Sequence, residues 1–133
     1  MDSIFNQTVT SNDVVLIEDG TLGKELEDVV CEYEKKYQQL HVLRFTKNRG
    51  LGFALNDGLR RCKNEIIARM DTDDISKPNR MEIQLQFMQS HPEYAMVGAW
   101  IDECPQCGER LEKDKDHHYV GPTKAALNLV YVF

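Results

Sequence analysis

The chain has 133 residues, a formal net charge of −6 and a sequence pI near 5.2. That length suits one domain with its own core, and the acidic balance removes any general pull toward nucleic acid or an anionic membrane. The opening MDSIFNQTVTSND has neither a basic start nor an apolar stretch of about 7–15 residues, so it does not read as a secretory signal. No apolar run approaches the roughly 20 residues that span a bilayer. Four cysteines, Cys31, Cys62, Cys104 and Cys107, are too few and too scattered for a disulfide framework. The expected setting is reducing and cytoplasmic.

Along the chain, "DVVLIEDG" predicts a buried strand from Val14 to Glu18, and Gly20 turns the chain. Thr21 is a candidate cap for a helix on which Leu22, Leu26, Val29, Val30, Tyr33 and Tyr37 share one face of a 3.6-residue period. "HVLRF" predicts a second strand, His41–Phe45, followed by the loop "TKNRGLG", whose glycines permit tight or left-handed backbone. A short helix through Ala54, Leu55, Leu59 and Cys62 leads to the strand Glu65–Met70. Beyond an acidic cluster, Ser76 and Pro78 start a helix with Met81, Leu85 and Met88 on one face, and His91-Pro92 ends it before a predicted strand Tyr94–Trp100.

This alternation predicts an α/β fold with a mostly parallel sheet flanked by helices. One domain, 1–133, is expected, with a core over 1–103. Residues 104–133 read as a hairpin-like segment and the start of a helix capped by Thr123.

The chemistry concentrates at two strand ends. Glu18-Asp19 closes one strand, and Asp71-Thr72-Asp73-Asp74 closes another. In open α/β sheets ligands sit beyond the carboxyl ends of strands, so one ligand could touch both tips. Three crowded carboxylates repel one another and raise each other's pKa, which costs stability unless a cation or hydrogen-bond donors offset it. A carboxylate cluster cannot hold a phosphate directly. Mg²⁺ or Mn²⁺ resolves this by taking one or two carboxylates together with diphosphate oxygens, and it then stabilises that diphosphate as a leaving group. Solvated turn carboxylates are the plainer reading, and it weighs more for Glu18-Asp19 than for the triple cluster.

Three blocks, "QTVTSNDVVLIEDGT", "NRGLGFALNDGL" and "ARMDTDDISKPNRMEIQLQFM", resemble successive blocks of the family 2 glycosyltransferases with the GT-A fold. The resemblance runs from about residue 3 to residue 103, and its third block is the most specific. It implies that Asp19 contacts the base or ribose of a nucleotide-diphosphate sugar. It also implies that Asp71 and Asp73 bind that donor, and that Asp73 or Asp74 ligates Mn²⁺ or Mg²⁺. Asn48, Arg49 and Gly50 match the loop beside the nucleotide, where Arg49 would face the diphosphate or only brace a Gly-rich turn. Arg69 and Arg80 are expected to neutralise the acidic cluster.

The same resemblance implies a carbohydrate or lipid-linked acceptor and a place in polysaccharide biosynthesis. It leaves peripheral membrane association and self-association open. The match starts at "SIFNQT", inside a helix, so the family's first strand is missing. It also stops before the acceptor half that carries the catalytic base. The expectation is a domain truncated at both ends, with no catalytic base assigned and poor or no transfer by this chain alone.

Other readings fit less well. A haloacid-dehalogenase phosphatase would want Thr or Val where Ile75 stands, and Ile75 and Ser76 break an EF-hand loop. "CPQCG" with His117 and His118 suggests a zinc knuckle at Cys104 and Cys107, but adjacent histidines rarely ligate one ion together, and a reduced, exposed turn is the default. The alternative function is therefore a non-catalytic nucleotide-binding or zinc-knuckle interaction module.

Overall fold

The run DVVLIED forms strand β1 (Asp13–Asp19), buried along its whole length, and the rest of the chain assembles around it in the computed structural model, which describes residues 1–99 and 127–132. The chain order is α1 (Asp2–Phe5), β1, α2 (Lys24–Lys36), β2 (Leu40–Phe45), α3 (Leu51–Arg61), β3 (Ile67–Asp71), α4 (Arg80–Ser90) and β4 (Leu127–Val132). The sheet order is β2-β1-β4-β3. β2 runs parallel to β1, whereas β4 lies antiparallel to both β1 and β3, so β1, β2 and β3 share one direction.

Period-2 alternation along β1 sends successive side chains to opposite faces. Val14 and Leu16 meet Ile4 of α1, Val30 of α2 and Met81 of α4 on one face, where Met70 of β3 joins them. Val15 and Ile17 meet Ala54 of α3 on the other, with Leu43, Phe45 and Ile67 packed around them. This is the α/β sandwich with helices on both faces that the alternation of strands and helices predicts. Among the described residues, no helix is long and apolar enough to cross a membrane.

Several boundaries differ from expectation. α2 begins at Lys24 with Gly23 at its N-cap rather than at Thr21. The expected apolar stripe of α2 is only partly used: Val30 is buried, while Leu26 and Val29 stay largely exposed. The predicted strand Tyr94–Trp100 is not a strand over its described residues, 94–99. There the chain turns, with the Tyr94 N–H donating to the His91 carbonyl at 3.1 Å and the Tyr94 ring set against those of Phe87 and His91.

Tyr94 is 53% exposed and Met96 84%, so this apolar run finds no sheet neighbour. The position between β1 and β3 belongs instead to β4, in the segment expected to begin a helix. Leu127–Val132 reads LNLVYV, rich in β-branched and aromatic residues that suit a pleated surface better than a helix. Residues 100–126 lie outside the described residues, and with them the expected Thr123 cap and hairpin-like segment.

On the α2 face, the β1 side chain after Leu16 is Glu18, a carboxylate only 3% exposed. Its Oε2 lies 3.4 Å from Arg44 Nε, but Arg44 also pairs with Glu27 at 3.2 Å and Glu34 at 2.6 Å, and Glu18 Oε1 is buried without a hydrogen bond. Burial pushes the Glu18 pKa above its ordinary value of 4.5; Arg44 opposes the shift and the charges of Glu27 and Glu34 add to it. An acid whose folded pKa is raised contributes stability at low pH that is lost as pH rises through that folded pKa. Glu18→Gln keeps the shape without the charge. It should therefore unfold at a higher temperature than the parent at pH 7, with the gap closing toward pH 4. A lower unfolding temperature for the variant at pH 7 would show that the attraction of Arg44 outweighs burial.

Candidate nucleotide and cation site at the carboxyl ends of the strands

β1 ends in Asp19, whose side chain turns to the α3 face and is 4% exposed. Its Oδ1 accepts the Arg49 N–H and its Oδ2 the Gly50 N–H, each at 2.8 Å. Two successive backbone N–H groups ahead of a helix form a small anion-binding concavity, and here Asp19 itself fills it. The Asn48 side chain joins in, its Oδ1 accepting the same Gly50 N–H at 3.0 Å.

Two glycines make this close approach feasible. Gly20 has φ +112°, and a Cβ there would sit 3.4 Å from the Asn48 nitrogen; Gly50, at φ +90°, caps α3 in the left-handed region that side chains disfavour. The Arg49 guanidinium lies between the rings of Phe45 and Phe53, 5.2 and 5.1 Å from their centroids, and pairs with Asp57 at 3.1 Å. In this arrangement Arg49 ties its loop to α3.

β3 ends in Asp71, which shares one row of the sheet with Ile17, since both pair with Asn128. β1 runs two residues past that row to Asp19, and with one strand between them the axes of β1 and β3 lie about 10 Å apart. The two acidic tips therefore lie at the same end of the sheet, with β4 between their strands.

After Asp71 the backbone turns, with the Asp74 N–H donating to the Asp71 carbonyl at 3.2 Å. Arg69 forms an ion pair with Asp71, and an Arg80 N–H donates to the Arg69 carbonyl at 3.1 Å. Asp73 and Asp74 are exposed. Partial desolvation raises the Asp74 pKa above its ordinary 3.8, the charges of Asp73 and Asp71 add to the shift, and Arg80 and Arg69 counter it. Thr72 and Asp73 also border an open, mainly apolar depression of about 400 Å³, floored by Leu16 and walled by Leu26, Val29, Val30 and Tyr33 of α2.

Among the described residues, no three His, Cys, Asp or Glu side chains are grouped so as to hold an ion by themselves. One or two carboxylates, with the remaining positions left for phosphate oxygens and water, is the donor set that suits Mg²⁺ or Mn²⁺. Asp73 and Asp74 fit it. The candidate zinc ligands Cys104, Cys107, His117 and His118 lie outside the described residues.

Three contributors escape a reading of the sequence. Asp57 and Phe53 hold Arg49, and Gln7 contacts the segment that follows the acidic loop. Only the "QT" pair in the first matching block hinted at Gln7.

Asp19→Asn tests the loop geometry. A carboxylate accepts both N–H groups, whereas a carboxamide accepts one and turns its own NH₂ on the other. A loss of about 1–3 kcal/mol of stability is expected, with faster amide exchange at Arg49 and Gly50. Unchanged exchange at both amides would contradict this account.

The chain matches Glycosyl transferase family 2 over residues 1–130. Among curated proteins it is 40% identical over 114 residues to an amylovoran biosynthesis glycosyltransferase of Erwinia amylovora, covering 85% of this chain and 42% of that protein. It is 43% identical over 102 residues to an uncharacterized glycosyltransferase of Haemophilus influenzae, covering 77% and 38%. It is 35% identical over 103 residues to the UDP-Gal:alpha-D-GlcNAc-diphosphoundecaprenol beta-1,3-galactosyltransferase of Escherichia coli, covering 77% and 37%. The chain thus spans about two-fifths of the length of these relatives. No solved structure matches it. Because the family match takes in both acidic strand ends and the loop that Asp19 holds, the chain belongs to glycosyl transferase family 2.

Proposed function

We propose that this chain is the donor-binding part of a glycosyltransferase that moves a sugar from a nucleotide-diphosphate sugar to a glycan or lipid-linked acceptor in polysaccharide assembly. The observation that carries this reading is the crowding of Asp71, Asp73 and Asp74 at the end of β3. Partial desolvation, with the charges of Asp73 and Asp71 adding to it, raises the Asp74 pKa at the end of the sheet that also carries Asp19. The activity in the name of the Escherichia coli relative, galactosyl transfer from UDP-Gal to a diphosphoundecaprenol-linked acceptor, supports the same class of donor and acceptor.

In this reading Asp73 and Asp74 hold Mn²⁺ or Mg²⁺, which supplies Lewis-acid stabilisation of the departing diphosphate. Asp71, with Arg69 beside it, lies next to the donor ribose. Asp19 acts by ordering Asn48, Arg49 and Gly50 at the nucleotide, rather than by reaching out with oxygens already committed to the backbone. The free thiols of Cys31 and Cys62 suit a reducing, cytoplasmic compartment.

The test reads donor binding. Asp73→Asn with Asp74→Asn should weaken Mn²⁺-dependent binding of uridine diphosphate at least about tenfold, while the unfolding temperature changes little, because both side chains are exposed. In the parent, Mn²⁺ binding should fade as pH drops while still above the ordinary Asp range, since the raised pKa of Asp74 lets protons compete early. Parent-like binding of metal and nucleotide by the double variant would refute the assignment.

A further inference from the structure

The loop that carries Asp73 and Asp74 is anchored at one end by β3. We infer that its other end is set by Gln7, which acts as a positioning residue for the acidic loop; the catalytic side of this statement rests on the donor-site reading above. Gln7 stands on neither the loop nor a strand, yet it is only 6% exposed, and among the described residues its carboxamide bonds to backbone groups. Nε2 donates to the carbonyls of Ser3 at 2.6 Å and Lys77 at 3.0 Å, and Oε1 accepts the Met81 N–H at 3.2 Å in the first turn of α4. One side chain thus ties the N-terminal segment to both sides of the junction between the acidic loop and α4.

Neighbouring bonds repeat the pattern. The Ser76 N–H donates to Ser3 Oγ at 3.1 Å, and the Thr8 N–H to the Pro78 carbonyl at 2.8 Å. A carboxamide suits this place because it offers donors and an acceptor at once. A carboxylate would set oxygen against two carbonyls, and an aliphatic chain would leave buried polar groups unmatched. Between β3 and this anchor, the positions of Asp73 and Asp74 follow from where residues 76 and 77 are held.

The experiment uses the whole chain with Gln7→Leu and Gln7→Glu, the second of which keeps an acceptor for the Met81 N–H and carries the test where Gln7→Leu does not fold. Amide exchange is followed at Ser76 and Met81 and, as an internal reference, at Arg49 and Gly50. Mn²⁺ affinity is measured in the presence of uridine diphosphate. In the folded variants, exchange at Ser76 should quicken by about tenfold, the equivalent of one lost buried hydrogen bond, with Arg49 and Gly50 unchanged. Mn²⁺ affinity should fall by a similar factor.

Unchanged exchange at Ser76, or quickening shared equally by Arg49 and Gly50, would overturn the inference. So would quickened exchange at Ser76 with parent-like Mn²⁺ affinity, which would leave Gln7 a packing residue only. If the parent itself binds no Mn²⁺ with the nucleotide, the donor-site reading fails, and the exchange contrast still decides whether Gln7 sets the loop.

Discussion

Strand β1 fixes helix α3 at both ends with buried carboxylates, and the geometry of the candidate site depends on that bracket. Asp13 and Asp19 point to the same face, being six residues apart on a strand of alternating side chains, a span of about 20 Å. The 11 residues of α3 rise about 16 Å, so the two aspartates just clear its ends. Asp19 accepts the N–H groups of Arg49 and Gly50 ahead of the helix, while Asp13 accepts the Lys63 N–H at 3.1 Å beyond it. Asp13 is 1% exposed, and its Oδ1, which accepts no hydrogen bond among the described residues, lies 3.3 Å from His41 Nε2 and 3.5 Å from Lys63 Nζ. Burying a carboxylate is costly unless hydrogen bonds or charge partners offset it; Asp19 has one N–H group on each oxygen, whereas Asp13 has the Lys63 N–H on Oδ2 and only the Lys63 ammonium and the His41 ring near Oδ1. The helix cannot slide along the sheet without stranding one of them.

A second brace works on the opposite face. There α1, α2 and α4 cover the sheet, and the N-terminal segment reaches the junction between the acidic loop and α4 through Gln7, Ser3 and Thr8. Both loops of the candidate site are therefore held by polar side chains from outside themselves, aimed at main-chain groups. This division leaves Asp73 and Asp74 exposed on a loop held at both ends, with the Asp74 N–H on the Asp71 carbonyl. A cation site needs that combination: carboxylates able to turn toward an ion, on a frame that does not move when they do.

Strands β1, β2 and β3 and helices α2 and α3 were legible from their apolar patterns, α4 from the start signals Ser76 and Pro78 although only Met81 of its expected apolar face is buried, and the acidic cluster because like charges so close demand an explanation. Other features were not, for one shared reason: they are decided by partners distant in the chain. Tyr94–Trp100 and Leu127–Val132 are both short apolar runs, and choosing which of them enters the sheet requires knowing that the position beside β1 and β3 is filled by β4. Asp13 and Gln7 are single polar residues whose burial is conferred by Lys63 and by Lys77 and Met81. Asp19 was visible as a strand-end carboxylate, but that its two oxygens face inward follows only from where the loop of Asn48–Gly50 packs.

Charge compensation separates the two carboxylate groups of this molecule. On the α2 face, Glu18, Glu27 and Glu34 gather around Arg44, whose fork donates to Glu27 and Glu34 and whose Nε lies 3.4 Å from Glu18. That group answers its own repulsion, with a guanidinium between the carboxylates and the raised Glu18 pKa absorbing the remainder. At the end of β3 the arrangement differs. Arg69 is paired with Asp71, and Arg80 directs one N–H to the Arg69 carbonyl and another to Gln84. Both arginines lower the Asp74 pKa, yet its net shift remains upward. Partial desolvation is the largest cause of that shift, with the charges of Asp73 and Asp71 adding to it, and of the three carboxylates only Asp71 has an ion pair among the described residues. In the donor-site reading proposed above, a divalent ion at Asp73 and Asp74 would add positive charge beside this cluster and would share its coordination between carboxylates and diphosphate oxygens.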